Sequence, residues 1–396
     1  MTERVDTVVV GAGQAGLAAS WYLTQRGVDH VVLERGRIGR SWRDERWDSF
    51  VLNTPNWAQQ LPGFAYAGDD PDGFAPLAEV IDYLEAYAAS FDAPVRENVA
   101  VTALRAAGDG YELETSAGPI LARAVIVATG AYQRPTPSPL RDAAPADVFQ
   151  QHTAEYRSPS ELPDGAVLVV GSGQSGCQVA EDLTAAGRDV YLSVGSCPWL
   201  PRRHRGRDLV AWMVETGMMD QTVETLTAPG ALLACNPALS GTEGGHDCNP
   251  LTLSERGVTP VGRLAGFRDG RALFADDLAA NLSKGMQFEA TLRSGFDEHA
   301  GLEPEPPPSE IPRLPELREL ELDGIGAIVW ANGFRPDYGW IELPVLDPTG
   351  RPLHDRGLTE LPGLAFVGMH WLHKRKSSLF LGVGEDAEHV VAQLLA

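Results

Sequence analysis

The sequence predicts an α/β fold with two Rossmann-like dinucleotide-binding units, one inserted into the other. Three observations predict it. A strand, a glycine-rich turn, a helix and a second strand follow one another at the start of the chain. The same series recurs 160 residues later, at Gly171 against Gly11. Two proline-rich stretches, 135–163 and 304–315, stand where a chain would cross between units, because proline disfavours helix and sheet interiors.

The elements follow in order. Val5–Val10 is a short apolar, β-branched run that suits a buried strand. A helical pattern over Gln14–Arg26 packs through Leu17, Trp21 and its alanines, and Gly27 stops it. Val28–Leu33 reads as the next strand. Leu77, Val80, Ile81, Leu84 and Tyr87 have helical spacing, so a helix is expected over Leu77–Ala88. Tyr111–Glu114 and Ile120–Ala128 read as strands. The second unit opens with a strand at Ala166–Val170, a helix at Gln174–Ala186 stopped by Gly187, and a strand at Val190–Val194. Ile325–Trp330 is a further strand, and a helix from about Glu385 to Leu395 ends the sequence.

Composition narrows the function. The chain has 396 residues, enough for two domains, and 43% of them are hydrophobic. A net charge of −22 repels phosphate backbones and anionic lipid, so neither nucleic acid nor a membrane surface is an expected partner. The four cysteines, Cys177, Cys197, Cys235 and Cys248, form no CxxC pair and are expected as free thiols in a reducing cytoplasm. Met1–Arg4 leads directly into a strand-like run, and no apolar stretch of about 18 residues occurs, so neither a cleavable signal nor a membrane span is expected. His370 and His373 make an HxxH without a third ligand, and no metal is expected. A homo-oligomer is compatible with the sequence.

The chemistry lies in the two glycine motifs. Gly11, Gly13 and Gly16 stand in GxGxxG order, with Gln14 and Ala15 between them, after a strand and at the start of a helix. The first glycine permits the tight turn, the second lets a pyrophosphate approach, and the third lets helix and strand pack closely. The helix start then offers free N–H groups and the positive end of its dipole. Glu34 follows Gly16 by 18 residues at the end of the next strand, where a carboxylate accepts ribose hydroxyls. Gly171, Gly173 and Gly176 repeat the motif, with Gln174 and Ser175 between them. Here the residue 18 positions on is Val194, not an acid, so a 2′-phosphate is tolerated. Arg202 and Arg203 follow as candidate phosphate ligands, which favours NADPH over NADH; a solvated basic loop is the alternative reading.

Further motifs carry a resemblance. Gly39 and Trp42 lie in a degenerate GGxW-like segment; Leu52-Asn53-Thr54-Pro55, Tyr83-Leu84 with Tyr87, Ala128-Thr129-Gly130 and Trp330-Ala331-Asn332-Gly333-Phe334 follow. With both glycine motifs, the whole chain resembles the flavin-containing monooxygenases, and more closely their bacterial group related to plant indole-3-pyruvate monooxygenases. The resemblance implies FAD on the first unit and NADPH on the second, with an NADPH domain at 146–330 inserted into a discontinuous FAD domain at 1–145 and 331–396. It implies an enzyme that forms a flavin C4a-peroxide and passes one oxygen atom of O₂ to a small nucleophilic or carbonyl substrate. It places Asn53 beside the reactive edge of the flavin as the candidate catalytic residue, a turn residue before Pro55 being the other reading. It also implies cofactor contacts from Arg35, Ser41, Trp42, Val99, Ala128, Thr129, Gly130, Asn332, Gly333 and Gly368.

Two departures from the family pattern stand out. The FxGxxxHxxx(W/Y) fingerprint reads Phe149-Gln150-Gln151-His152-Thr153-Ala154-Glu155-Tyr156, without its glycine, and the (L/F)ATGY motif has become WANGF with Asn332 in place of threonine. Both favour an alternative, an NADPH-dependent flavin oxidoreductase that inserts no oxygen. A non-catalytic redox sensor is a third reading; the missing CxxC argues against a disulfide reductase. His152 reads as a hinge residue or a structural hydrogen-bond partner rather than a general base. Gly382–Glu385 is expected to open the last helix toward the flavin. Lys374–Lys376 either adds positive potential there or forms a solvated turn, and His370 and Trp371 either line the substrate pocket or pack between domains. His246, Cys248 and Cys235 are assigned to irregular structure.

Overall fold

The computed structural model describes residues 2–227, 232, 238–305, 314 and 316–396. Two sheets with helices on their faces organise the chain. The first has seven strands. From one edge run Val95–Arg96, His30–Leu33, Glu3–Val10 and Ile120–Val127, all parallel. Ile120–Val127 then divides its far edge. Its first half pairs antiparallel with Gly110–Thr115, and its second half pairs parallel with Leu364–Phe366, so the end of the chain returns to the sheet on which it began. Val101–Ala107 closes that edge.

The second sheet is wholly parallel, in the order Phe149–His152, Ile325–Trp330, Ala166–Val170, Val190–Ser193 and Thr259–Val261. All its strands lie in sequence between Ile120–Val127 and Leu364–Phe366, so the second unit is inserted into the first, as the repeat predicts. The central strands of both sheets are buried on both faces: Val8, Val9, Leu168 and Val169 have no exposed surface. Each such side chain contributes roughly 1.5–3 kcal/mol of hydrophobic stabilisation, which is why these strands read as unbroken apolar runs.

The predicted elements are observed to within two residues at most ends. The helices are Gln14–Gln25, Leu77–Ser90, Gln174–Ala185 and Val383–Leu394. Three expectations need correction. The stretch 135–163 is more than a crossing, because Phe149–His152 within it forms an edge of the second sheet. Cys197 is disulfide-bonded, not a free thiol, whereas Cys177 and Cys248 are free and buried; Cys235 and most of 304–315 lie outside the described residues. The 22-residue helix Leu278–His299 has no counterpart in the sequence reading. It is held by apolar and polar contacts together: Leu282 and Phe296 are buried, Leu278, Met286 and Leu292 pack against the core, Asn281 donates to the carbonyl of Val194 at 3.1 Å, and buried Asp297 accepts from Arg205 and faces the His204 ring. Gly285 also leaves space there for the Trp199 ring.

Among the described residues no helix is long and apolar enough to cross a membrane. Segment 373–376 lies along 219–223 from the inserted unit. Arg375 donates its backbone N–H to Gln221 at 2.9 Å, and Val223 donates to His373 at 2.8 Å. Lys374 and Lys376 both pair with Asp220 and Glu385. This run therefore ties the two units together; the charges of Lys374 and Lys376 are compensated, while Arg375 has no carboxylate partner among the described residues and lies 4.7 Å over the Trp371 ring.

Helix packs closely on strand at the first glycine motif. Gly11 has φ +109°, and a Cβ on Gly16 would stand 1.8 Å from the Gly11 carbonyl oxygen. Gly16→Ala is expected to cost at least the roughly 1–3 kcal/mol of an overpacked core, because the obstacle is backbone. Urea denaturation measures this; an unchanged midpoint would refute it.

Candidate cofactor and substrate site

A single cavity of about 1620 Å³ runs between the two sheets. Drug-sized ligand pockets span about 300–1,000 Å³, so this one has room for more than one ligand. It is lined by Gly11, Gly13, Gln14, Ala15, Glu34, Arg35, Ser41, Trp42, Asn53, Val99, Ala128, Thr129 and Gly130 from the first unit. Gly171, Gly173, Gln174 and Ser175 line it from the second, and Asn332, Gly333 and Gly368 from the returning chain. The structure thus brings nearly all the sequence-predicted residues to one wall. Gly16 and Gly176 stay behind it as packing glycines, and a Cβ on Gly176 would stand 1.8 Å from the Gly171 carbonyl.

Both helix starts face this cavity with no side-chain cap at Gly13 or Gly173 and no acidic residue in the first turn. Uncapped N–H groups and the dipole end make each an anion-binding position. A Cβ on Gly13 would meet no protein atom within 4 Å, so this glycine keeps space open rather than relieving an internal clash. Glu34 is buried. Its two carboxylate oxygens accept the backbone N–H of Ala12 at 2.9 Å and of Gly36 at 3.0 Å, which clamps the turn. The uncapped helix starts, the open space at Gly13 and the buried carboxylate together fit a dinucleotide.

Asn53 lines the cavity, and its side-chain amide has no hydrogen-bond partner among the described residues. Its backbone is held instead. Arg202 donates to the Asn53 carbonyl at 2.7 Å and to Asp208 at 2.8 Å, and its guanidinium lies 4.8 Å from the Phe74 ring centre. Arg202 is 1% exposed. Arg203 donates to the carbonyls of Gly245 and Gly244 at 2.6 and 2.8 Å. Neither lines the cavity, so the expectation that they grip a 2′-phosphate does not fit: their donors serve Asn53, Asp208 and the loop at Gly244–Gly245. The reading missed this role because an arginine run carries no mark of the depth at which it lies. At the end of the strand Val190–Ser193 the cavity is lined instead by Gly195, Ser196 and Cys197.

His370 and Trp371 both line the cavity. The His370 ring faces the Ser378 hydroxyl at 2.9 Å and the edge of Tyr132 at 4.9 Å between centres. Burial presses its pKa down to about 4, so the imidazole is neutral at pH 7. His152 lies behind the wall: it is buried, its Nδ1 accepts from Ala154, and it packs edge-on against Phe334. It stands where the strand Phe149–His152 ends, and Thr153 donates to the carbonyl of Trp330 at 3.0 Å. His246 is bound to Glu181 in a buried group with Ser240 and Thr242, so its loop is more ordered than expected.

The comparisons with known proteins agree with this geometry. Residues 8–216 match the family model described as pyridine nucleotide-disulphide oxidoreductase. An oxidoreductase of Geobacillus kaustophilus described as uncharacterized and CzcO-like is 32% identical, over 100% of this chain and 99% of its own. The chain belongs to this oxidoreductase family. The indole-3-pyruvate monooxygenase YUCCA1 of Oryza sativa subsp. japonica is 35% identical over 190 residues, 46% of this chain and 45% of its own. Among solved structures, a flavin-containing monooxygenase from Stenotrophomonas maltophilia covers 100% of this chain and 99% of its own, at TM-score 0.68 and 22% identity. A bacillithiol disulfide reductase from Staphylococcus aureus gives 0.65 at 12%, covering 100% and 99%. At these identities the two structures speak to the fold, two Rossmann-like units. The kinship with flavin monooxygenases that the motifs imply is borne out, and the chain is an enzyme of oxidoreductase type.

Three outcomes follow from these contacts. Arg202→Met leaves Asp208 without its cation and frees the Asn53 carbonyl, so a stability loss of about 3 kcal/mol is expected. The NADPH-to-NADH preference of Arg202→Met and Arg203→Ala is expected to stay at the wild-type value; steady-state rates with both nucleotides check it, and a narrowed preference would return these arginines to the phosphate. For His370 the folded pKa lies below the ordinary 6.5. The unfolded chain therefore binds the extra proton, and the stability His370 contributes is complete above pH 6.5 and lost as pH falls toward 4. Asp386, raised to about 6 by burial, acts in the opposite direction and is common to wild type and variant. At pH 5 His370→Gln is expected to avoid up to about 2 kcal/mol of the wild-type loss, read as a smaller drop in thermal midpoint between pH 7 and pH 5.

Proposed function

We propose that the protein is an FAD- and NADPH-dependent monooxygenase acting on a small molecule. The observation that carries this reading is the single cavity that joins both uncapped helix starts to the unpartnered amide of Asn53. The flavin monooxygenase relatives favour oxygen insertion over hydride transfer alone. Per turnover one NADPH and one O₂ are consumed, one oxygen atom enters the substrate, and the other leaves as water. Bound FAD supplies the redox chemistry, taking hydride from NADPH and passing electrons to O₂.

The chain's own residues bind, orient and exclude water. The helix start at Gly13 holds the FAD pyrophosphate, and the Glu34 oxygens, already fixed by Ala12 and Gly36, keep lone pairs for ribose hydroxyls. The helix start at Gly173 holds the NADPH pyrophosphate. Asn53 aims an amide donor at the reacting oxygen, with Arg202 setting its backbone. Trp42 stacks on Phe380 at 5.9 Å and packs on Phe50, an apolar wall that keeps water away. Arg35, Ser41, Val99, Ala128, Thr129, Gly130, Asn332, Gly333 and Gly368 complete the proposed cofactor contacts. The proposed domains are 1–145 with 331–396 for FAD and 146–330 for NADPH, and the proposed compartment is the cytoplasm.

Asn53→Ala is expected to bind one FAD per chain as the wild type does and to keep NADPH-driven flavin reduction within about threefold. Oxygen transfer should fall by roughly 10²–10³, the loss typical of one removed donor, with hydrogen peroxide released in its place. Product and peroxide yields per NADPH decide the matter. A wild-type protein that cannot be loaded with FAD, or an Asn53→Ala variant with unchanged coupling, would sink the reading.

A further inference from the structure

One acidic side chain of the inserted unit gathers a loop around itself. Glu181 is buried on the helix Gln174–Ala185, two turns in from the helix start. It accepts from Ser240 at 2.8 Å and from Thr242 at 3.1 Å, and Arg256 reaches it at 3.5 Å. It also pairs with His246, whose other ring nitrogen faces the carbonyl of Thr242 at 3.1 Å. Burial pushes the Glu181 carboxyl up, but the His246 contact outweighs this and holds it below the ordinary range; the same contact raises the imidazole. At the cavity end of the helix, Gln174 donates its side-chain amide to the carbonyl of Leu239 and accepts the Leu239 N–H at 3.1 Å. Loop 239–247 is thus fastened at two points to the helix whose start faces the cavity.

The other side of this loop bears on the first unit. A Cβ on Gly241 would stand 2.1 Å from the carbonyl oxygen of Leu52 and 3.0 Å from the Val51 side chain, so backbone lies directly on backbone. A Cβ on Gly245 would meet the Phe74 ring at 2.5 Å and Arg202 at 3.1 Å. Asp247 accepts the backbone N–H of Arg202, and Arg203 donates to the carbonyls of Gly244 and Gly245. Arg202 in turn donates to the Asn53 carbonyl at 2.7 Å. Two routes therefore lead from Glu181 to the segment that carries Asn53: the contact of Gly241 with Leu52, and the guanidinium of Arg202. Both end on backbone carbonyls, and Glu181 and His246 do not line the cavity.

We propose that Glu181 is a positioning residue for oxygen transfer: through loop 239–247 it ties the backbone of Asn53 to the helix that receives the nicotinamide nucleotide, so the Asn53 amide takes its place from that helix as well as from its own unit. The proposal rests on the monooxygenase reading for the reaction that Asn53 serves, but not for the tie itself. Glu181 acts through Asn53 and not on a ligand. A reacting group displaced by about 1 Å can lose on the order of a hundredfold in rate, so a remote backbone support of this kind has a measurable consequence.

Glu181→Ala and His246→Ala in the FAD-loaded protein test it, each alone and combined with Asn53→Ala. Hydrogen–deuterium exchange at residues 51–54 is expected to quicken roughly tenfold in both single variants, the equivalent of one typical lost hydrogen bond, while residues 11–16 keep their wild-type rates. With thioanisole as the oxygen acceptor, sulfoxide per NADPH should fall roughly ten- to hundredfold in Glu181→Ala, with hydrogen peroxide released in its place. The NADPH KM and the rate of flavin reduction should stay at their wild-type values. In the Asn53→Ala background the same substitution should cost nothing further, because the group it positions is gone; a merely structural role would add its full loss there too. Glu181→Gln, which keeps an acceptor oxygen without the charge, should restore part of the loss. Unchanged exchange at 51–54, a raised NADPH KM with unchanged coupling, or equal losses in both backgrounds would each overturn the assignment. Exchange is read without turnover: a wild type that makes no sulfoxide counts against oxygen transfer, and the exchange rates still decide the tie. His246→Ala also guards against a Glu181 variant that fails to fold.

Discussion

The close approach of helix to strand end at Gly16 and Gly11 is the constraint on which the rest of the structure depends. With a side chain at Gly16 the helix could not lie against the Gly11 carbonyl, and its N-terminus would not point at the mouth of the sheet. The pair Gly176 and Gly171 repeats the contact with the same 1.8 Å separation in the inserted unit. Each contact aims one uncapped helix start into the common cavity, and the insertion turns the two toward each other. Cofactor sites on this chain are thus a consequence of backbone packing before any side chain contributes.

What joins the units is more specific. Arg202 reaches from the inserted unit to the carbonyl of Asn53, and a Cβ on Gly241 would stand 2.1 Å from the Leu52 carbonyl, so the second unit buttresses the 52–53 segment of the first. The two chain crossings also pair with each other, Phe334–Arg335 against Arg134–Pro135. Together with the Asp220, Lys374, Lys376 and Glu385 cluster, these contacts fix the separation of the two helix starts. A residue placed at the cavity wall by one unit therefore takes its exact backbone position from the other.

These two layers explain what the sequence made legible. Glycine spacing, apolar β-branched runs and the carboxylate of Glu34 are local signals, and the elements they predict are observed nearly end to end. Whatever depends on contact between distant segments was not legible. The role of Arg202 needed the fold, because its partners Asn53 and Phe74 lie far from it in sequence. The helix Leu278–His299 was missed although Leu278, Leu282, Met286, Leu292 and Phe296 repeat at helical spacing, because polar and small residues such as Asn281, Gly285 and Glu289 share that face and dilute the pattern. The edge strand Phe149–His152 was hidden in a proline-rich stretch, since an edge tolerates flanking prolines that a central strand would not.

The charges at the cavity follow one rule. A buried ionisable group either finds a partner, becomes neutral, or waits for a ligand. Glu34 finds two backbone N–H groups. His370 becomes neutral, its pKa near 4, and serves as a polar wall beside Ser378. Lys374 and Lys376 are compensated by Asp220 and Glu385. Arg46 keeps its charge, because arginine does not shed its proton at working pH, and it lies among the rings of Trp42, Phe50 and Tyr132.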